Sequence, residues 1–491
     1  MERRKFLGSF PFAVGGALAI STTELHAQSQ SSSTSNSVIS FGAVGDGVTD
    51  DTAAFQAAAA YSVANGVIIY VPSGTYIVSS LISCTFGAAA VGFAGDGKYN
   101  STIKTKNATS GIFKFNGSYA VLTGIGLTAS VTQTGSALLT STCGTEYFVD
   151  LKFDSYYVGF AAGGNVCILR DCDFSNACST SSVGVLVDGY AGGLTIDNMV
   201  AYVPSTIPLA GIQVVSCGAV QISNSNIITQ GACLLITPGA NQVVASLNVV
   251  NTFFDSATYG VHIIPSTGGS VTRCSFTQVW TSSHSVNGFC IDGTQGLIDG
   301  VQLISSQVNS NHADGLLIMG ANTSHIDVVG GEFTGNTGSG ITLGSNASHI
   351  RIRDVFSGAG YGSSGNAFGM YINNTGVTNY SVMDSQFSGN TSGQLTDAAN
   401  VGLIQNCIGF TSKNSGASTL AGSATSAVIS HGLSAAPSYQ NISISPTNAW
   451  GTTNLYVDPS SITATEFTVR SSSAPASGLN FNWRATCSGE I

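Results

Sequence analysis

A glycine followed by a short apolar strand returns through most of this chain. It stands at Gly111, Gly135, Gly159, Gly184, Gly211, Gly231, Gly260, Gly288, Gly315, Gly340, Gly369 and Gly393, with intervals of 24, 24, 25, 27, 20, 29, 28, 27, 25, 29 and 24 residues. A period in the twenties, sustained this long, is the mark of stacked repeats and not of a closed globule. A second apolar run follows each glycine strand and often ends on an aromatic, as in Val149–Phe153, Leu169–Phe174, Val271–Phe276 and Val382–Phe387. Asn, Asp, Ser and Gly fill the corners, where they take turn conformations or bond the backbone. The strands are too short and too interrupted by glycine for helices. No single repeat can bury its own apolar face, so neighbouring repeats must supply the core. The prediction is an all-β chain: a parallel β-solenoid of about twelve turns, three short strands each, forming a rod roughly 55 Å long at about 4.8 Å per turn.

Only 8% of the residues are charged and 60 are glycine, a composition that reads as disordered until the spacing of the 43% apolar residues is seen. The net charge is −10 from 15 basic and 25 acidic residues; without residues 1–27 it is 12 against 23, or −11. With no basic stripe, nucleic-acid binding by phosphate neutralisation is excluded, and an unaided grip on a polyanion is disfavoured. The eleven cysteines form no C-x-x-C pair and no spacing suited to zinc, so no metal site is expected. They read as buried thiols, with one disulfide left open among Cys167, Cys172 and Cys178.

The N-terminus begins Met1-Glu-Arg-Arg-Lys-Phe-Leu-Gly8 and continues with an apolar run from Phe10 to Ile20. Residues 1–27 read as an export leader, and the Arg3-Arg4-Lys5-Phe6-Leu7 core resembles a twin-arginine signal. That places the mature protein in the periplasm or outside a bacterial cell. No later segment has 18 uninterrupted apolar residues, so no membrane span is expected. Residues 28–38 form a Ser-rich linker, and 39–410 the β-helix domain. At its start, Ile39–Thr52 reads as a strand and a Gly-Asp-Gly turn, Ala53–Tyr61 as a helix and Gly66–Tyr76 as a buried strand. An Ala-rich helix there is suited to covering the open first coil.

The run Phe41-Gly-Ala-Val-Gly-Asp-Gly-Val-Thr-Asp-Asp-Thr52, with Val71-Pro-Ser-Gly-Thr-Tyr76, resembles the N-terminal signature of the pectate-lyase-like superfamily. That group includes rhamnogalacturonase-, polygalacturonase- and epimerase-related proteins and phage tailspikes. The likeness is specific over residues 39–78, and implies a right-handed parallel β-helix acting on polysaccharide. In this signature Asp50 and Asp51 cap the helix and are not a catalytic pair. The adjacent Asp-Asp, Gly-His-Gly and Arg-x-Lys elements of polygalacturonase-type enzymes are missing from the coil; Asn311-His-Ala-Asp-Gly315 is only loosely like their Asn-x-Asp-Gly element.

Taking each marker glycine as zero, positions +1 and +3 point inward and +2 and +4 outward. The +2 column then reads Leu186, Gln213, Cys233, His262, Cys290, Leu317, Thr342, Tyr371, and the +4 column contains Asp292. His262, Asp292 and Asp314, the last just before Gly315, fall in successive turns. Carboxylates one turn apart approach the ~5–9.5 Å separations of glycosidase pairs, so Asp292 and Asp314 are candidate acid and base, with His262 orienting substrate or tuning a pKa. Asp before Gly is also favoured in turns on conformational grounds alone. Trp280, His284, His312 and Tyr371 are candidate substrate contacts, with Glu332 a weaker one. The reading is an exported enzyme cutting a neutral or lightly charged polysaccharide, a hydrolase before a lyase. Only a lyase or epimerase would call on Arg351, Arg353 and a calcium ion. The competing class is a glycan-binding or surface-structural β-helix without catalysis.

Residues 411–423 read as a linker, and 424–491 as an antiparallel β-sandwich of short alternating strands. Glycan binding, homotrimer formation and end-capping are open roles for it, and Trp483 reads as core.

Overall fold

The computed structural model describes residues 36–87, 89–203, 206–228, 231–360 and 362–487. The leader 1–27 and most of the 28–38 linker lie outside them. The chain winds into a parallel β-coil closed at its start by the helix Thr52–Asn65. Phe55 of that helix packs on Phe93 and Tyr76 of the first turns, at 5.9 and 5.4 Å between ring centroids. Gly66 ends the helix in a left-handed conformation, φ 62°. Asp51 is its N-cap residue, but its side chain turns back to accept from the Val44 and Gly45 amides at 2.7 and 3.4 Å; Asp50 accepts from the Thr52 amide instead. Both acids are structural.

One sheet stacks thirteen parallel strands, from Ile82–Thr85 to Gly393–Asp397. Twelve follow the marker glycines; the thirteenth, Ile82–Thr85, has no glycine before it. The second and third strands of every turn join a larger sheet of 27 strands. The inward +1 column runs Val185, Ile212, Leu234, Val261, Phe289, Leu316, Ile341 and Met370, each with no exposure. Stacking thus supplies the core that no repeat has alone.

Between the second and third strands each turn bends through one left-handed residue. The register lines up twelve of them, from Gly124 and Asp150 through Asn198, Asn224 and Asn251 to Asp384 and Asn406, with φ between 47° and 65°. Gly, Asn and Asp bear this conformation at least cost, which is why they dominate the corners.

Inside the coil a second stack forms. Asn311 Nδ2 donates to Asn336 Oδ1 at 2.8 Å, Asn336 Nδ2 to Asn366 Oδ1 at 2.9 Å, and Asn366 Nδ2 to Asn390 Oδ1 at 3.1 Å. All four are buried. Along the coil the marker glycines face the next turn's backbone carbonyl, 2.5–2.9 Å from a Cβ at Gly159, Gly184, Gly260, Gly288, Gly315, Gly340 and Gly369, and the ladder tightens the later turns further. A Cβ on Gly315 would meet Asn336 Nδ2 at 2.9 Å and the Gly340 carbonyl at 2.7 Å. Only a residue without a side chain passes there.

The marker at Gly231 is two residues early. Gln213 pairs with Leu235 and Leu235 with His262, so Cys233 occupies the glycine's place and Leu235, not Cys233, belongs to the outward +2 column. Cys233 fits because the next turn offers the small Ala257 where later turns carry the ladder; its Sγ donates to the Ile227 carbonyl at 3.2 Å. All eleven cysteines are free thiols, so the disulfide left open among Cys167, Cys172 and Cys178 is not formed.

The C-terminal part has two three-stranded antiparallel sheets. Residues 411–423, read as a linker, instead hold the strand Lys413–Leu420, which pairs along its length with Leu479–Thr486. Its Ser- and Gly-rich sequence suits an exposed edge strand as well as a linker, and composition alone cannot separate the two. Phe467, Val469, Phe481 and Trp483 fill the space between the sheets, with Trp483 only 8% exposed.

Candidate functional site

From Gly260 to Gly369 on the thirteen-strand sheet both the marker glycine and its successor are buried, as at Gly260 and Val261. The residue before the glycine therefore comes next to the +2 residue on the outer face. Tyr259 lies against His262, rings 4.2 Å apart and 23° from parallel, and Phe368 lies against Tyr371 at 4.8 Å and 17°. Alternation counted from the glycine missed Tyr259 and Phe368. An aromatic directly before a marker glycine was the available signal.

Between these aromatic pairs lie the predicted acids. His262 pairs with Cys290 and Cys290 with Leu317, while Asp292 pairs with Met319 two positions along. Burial holds His262 below the usual imidazole range, and the nearby Asp292 charge opposes it. Tyr259 is raised by burial and then by the charges of Cys290 and Asp292. His262, Tyr259 and Asp292 thus share one electrostatic neighbourhood. Asp292 Oδ1 also accepts from the Thr294 amide at 2.9 Å, the turn geometry expected of an Asp before Gly.

Asp314 is half-buried one strand further on. Its carboxyl accepts from the Ser339 amide at 2.7 Å, and burial raises its pKa against that bond. Asp292 follows its marker glycine by four residues and Asp314 precedes its own by one. Their backbones are therefore separated by roughly 15 Å along the strand direction. They are not brought together as the directly facing pair expected from successive turns, which needs ~5–9.5 Å. Cys290, between them, is pushed up to about 12, by burial first and then by both carboxylates.

The predicted substrate contacts divide. Tyr371 lies on this face, and His312 is exposed in the loop leading to Asp314, its amide donating to the His284 carbonyl at 2.8 Å. His284 is no substrate contact: it is fully buried at the head of the inner ladder, its Nδ1 accepting from the Ala257 amide at 3.1 Å and its amide donating to Asn311 Oδ1 at 3.2 Å. Burial lowers its pKa to about 4, and its Nε2 has no hydrogen-bond partner among the described residues. Trp280 belongs to the larger sheet and so to another face, its ring tilted against Phe253 at 5.7 Å between centroids. Glu332 is on that face too, two strands beyond Trp280. Arg351 is exposed and bonded to Asp327 at 2.6 and 2.7 Å.

Among the described residues no group of three or more His, Cys, Asp or Glu is placed to hold a metal ion, and no helix is long and apolar enough to cross a membrane.

Residues 35–142 match the family model described as rhamnogalacturonase A/epimerase, pectate lyase-like. No curated protein sequence matches the chain. Among solved structures, the Dettilon tailspike protein gp208 is 11% identical with a TM-score of 0.54, covering 91% of this chain and 93% of its own. A mutant tailspike of E. coli bacteriophage HK620, in complex with a hexasaccharide, is 11% identical with a TM-score of 0.52, covering 92% and 93%. The N-terminal fragment of bacteriophage Phi29 gene product 12 is 14% identical at 0.51, covering 77% and 71%. At these identities they share the fold and nothing finer. The family match covers the N-terminal segment, and the stack of thirteen parallel rungs continues the coil beyond it.

Proposed function

We propose that the protein acts on an extracytoplasmic polysaccharide, hydrolysing it on the outer face of the thirteen-strand sheet. The observation that carries this reading is a pair of half-buried groups with opposite tuning. Asp314 is held above its ordinary pKa, which suits a proton donor, and His262 is held below its own, which suits a neutral base. Two rungs, about 10 Å of rise, and three residues along the strand separate their backbones, so the two groups flank the site from opposite corners and leave room between them for a sugar and a water molecule. Asp292, beside His262, would stabilise the imidazolium as it forms. The Tyr259–His262 and Phe368–Tyr371 stacks offer ring faces at both ends of the site for neighbouring sugars.

In this scheme the Asp314 carboxyl gives its proton to the glycosidic oxygen as the bond from that oxygen to the anomeric carbon breaks. Water adds to the anomeric carbon from the other side and loses a proton to His262. Asp314 is left ionised and His262 charged, and exchange with solvent restores both. The absence of Lys and Arg from these positions favours a neutral glycan. A leader at residues 1–27 would carry the protein to such a substrate, and the hexasaccharide complex of the HK620 tailspike is consistent with sugars lying on this type of coil.

The test is a panel of neutral and uronate polysaccharides, read for new reducing ends and for absorbance in the unsaturated-uronate band. Reducing ends without that absorbance are expected, falling about 10²–10⁴-fold in Asp314→Asn and His262→Ala. Unsaturated products would replace hydrolysis by elimination, and undiminished activity in both variants would move the site elsewhere.

A further inference from the structure

A second outward line of side chains runs along the larger sheet, away from the proposed acid and base. Asn226, Phe253, Trp280, Gln307, Glu332 and Phe356 pair one after another in five consecutive steps. At about 4.8 Å per rung they extend over roughly 24 Å. Phe253 is 47% exposed although it is a large apolar ring, and Trp280 leans on it at 53° between ring planes. Burying these rings in the core was open to the chain, since the neighbouring positions Phe254 and Val308 are fully buried.

The surroundings of the two rings identify what would cover them. The strip is one side chain wide. On one side run the left-handed corner residues Asn224, Asn251 and Gln278, and on the other Asp255, Ser282 and Asn309. A second protein chain needs about 800 Å² per partner with a broad apolar centre, which two rings hemmed in by amides, hydroxyls and carboxylates do not supply. An extended sugar chain suits the strip. It presents apolar ring faces to aromatic side chains and hydroxyl edges to the amides and carboxylate beside them, and its rings repeat at about the spacing of the rungs. No Lys or Arg stands in the line from Asn226 to Phe356, while Glu332 does, so a polyanion is disfavoured.

We infer that this strip is a second, non-catalytic glycan-binding site for a neutral polysaccharide lying along the coil axis, with Phe253 and Trp280 as its platform. The inference shares with the proposed function the premise that the protein meets a glycan, but not the assignment of acid and base. A platform here would keep a long chain on the protein while another stretch of it is processed on the neighbouring face.

The full chain is run by affinity electrophoresis through gels containing a xylan, a galactomannan, a dextran or a mixed-linkage glucan. The wild type is compared with Trp280→Ala, Phe253→Ala, Gln307→Ala and Asp314→Asn, with circular dichroism melts to confirm folding. At least one of these glycans should retard the wild type and Asp314→Asn alike, with Kd about tenfold weaker in Trp280→Ala and a smaller loss in the other two strip variants. The inference is overturned if none retards the wild type or if all three strip variants run with it. Light scattering that shows a Trp280-dependent dimer would also overturn it, by making a second copy the occupant. Retardation that depends on Trp280 without any product release would leave this site standing and sink the acid–base scheme. Product release without that dependence would do the reverse.

Discussion

Two stacks of asparagine run through this coil at one pitch, one outside and one inside. On the outside Asn198 Nδ2 donates to Asp171 Oδ1 at 2.7 Å and Asn251 Nδ2 to Asn224 Oδ1 at 2.8 Å, with the three asparagines exposed to water. On the inside Asn336 donates to both Asn366 Oδ1 and the Val308 carbonyl and accepts from the Asn311 amide and side chain, with 1% exposure. The side chain and spacing are the same, but water can replace every outer bond and none of the inner ones. The outer stack selects residues by backbone conformation; the inner stack selects them by hydrogen bonding, and selects the glycines opposite it by volume.

That contrast predicts unequal costs. Asn336→Ala leaves buried donors and acceptors unpartnered on two neighbouring turns, and should cost about 4 kcal/mol in urea denaturation. A loss below about 1 kcal/mol would mean that water enters the coil and that the two stacks are alike.

His284 sharpens the comparison, since it takes the ladder's place with a titratable ring. Its pKa is about 4 folded and about 6.5 unfolded. A depressed folded pKa means that the stability it permits is present above pH 6.5 and is lost as the pH falls towards 4. The loss should reach about 3 kcal/mol. His284→Asn would extend the amide ladder by one rung and remove this dependence. Glu146 and Asp314, both raised by burial, act in the opposite direction, but they are common to both proteins and cancel in the difference. Parallel pH–stability curves for wild type and variant would contradict the buried neutral imidazole.

The smallest effect belongs outside. Asn224→Ala loses exposed bonds and adopts φ 51° without an Asn's tolerance for it, costing about 1 kcal/mol in the same denaturation experiment. A cost equal to that of Asn336→Ala would erase the distinction.

The same contrast explains what the sequence disclosed. The repeat, the strand type and the inward columns were legible because stacking forces apolar residues to return at a nearly fixed interval. The capping helix was legible from Ala53–Tyr61 and its flanking turn signals. The register at Gly231 was not, because Cys233 stands in the glycine's place, with the small Ala257 on the next turn, and a glycine two residues earlier preserved the period. His284 looked like a loop residue because the inner ladder is built from residues three or four before each glycine, which the period-2 count treats as connection. Of the candidate site, His262 and Tyr371 emerged from the outward +2 column. The roughly 15 Å between Asp292 and Asp314 followed from their offsets of +4 and −1 once the strands were aligned. The residues flanking the glycines decide the site, and their orientation depends on two consecutive buried positions that alternation does not foresee.

The most direct test of an acid and a base held two rungs apart is the anomeric configuration of the first product. With whichever polysaccharide the protein cuts, early time points followed by proton nuclear magnetic resonance should show the inverted anomer, mutarotating afterwards. A retained configuration would require a nucleophile much closer to its acid than Asp314 is to His262 or Asp292, and would contradict the account.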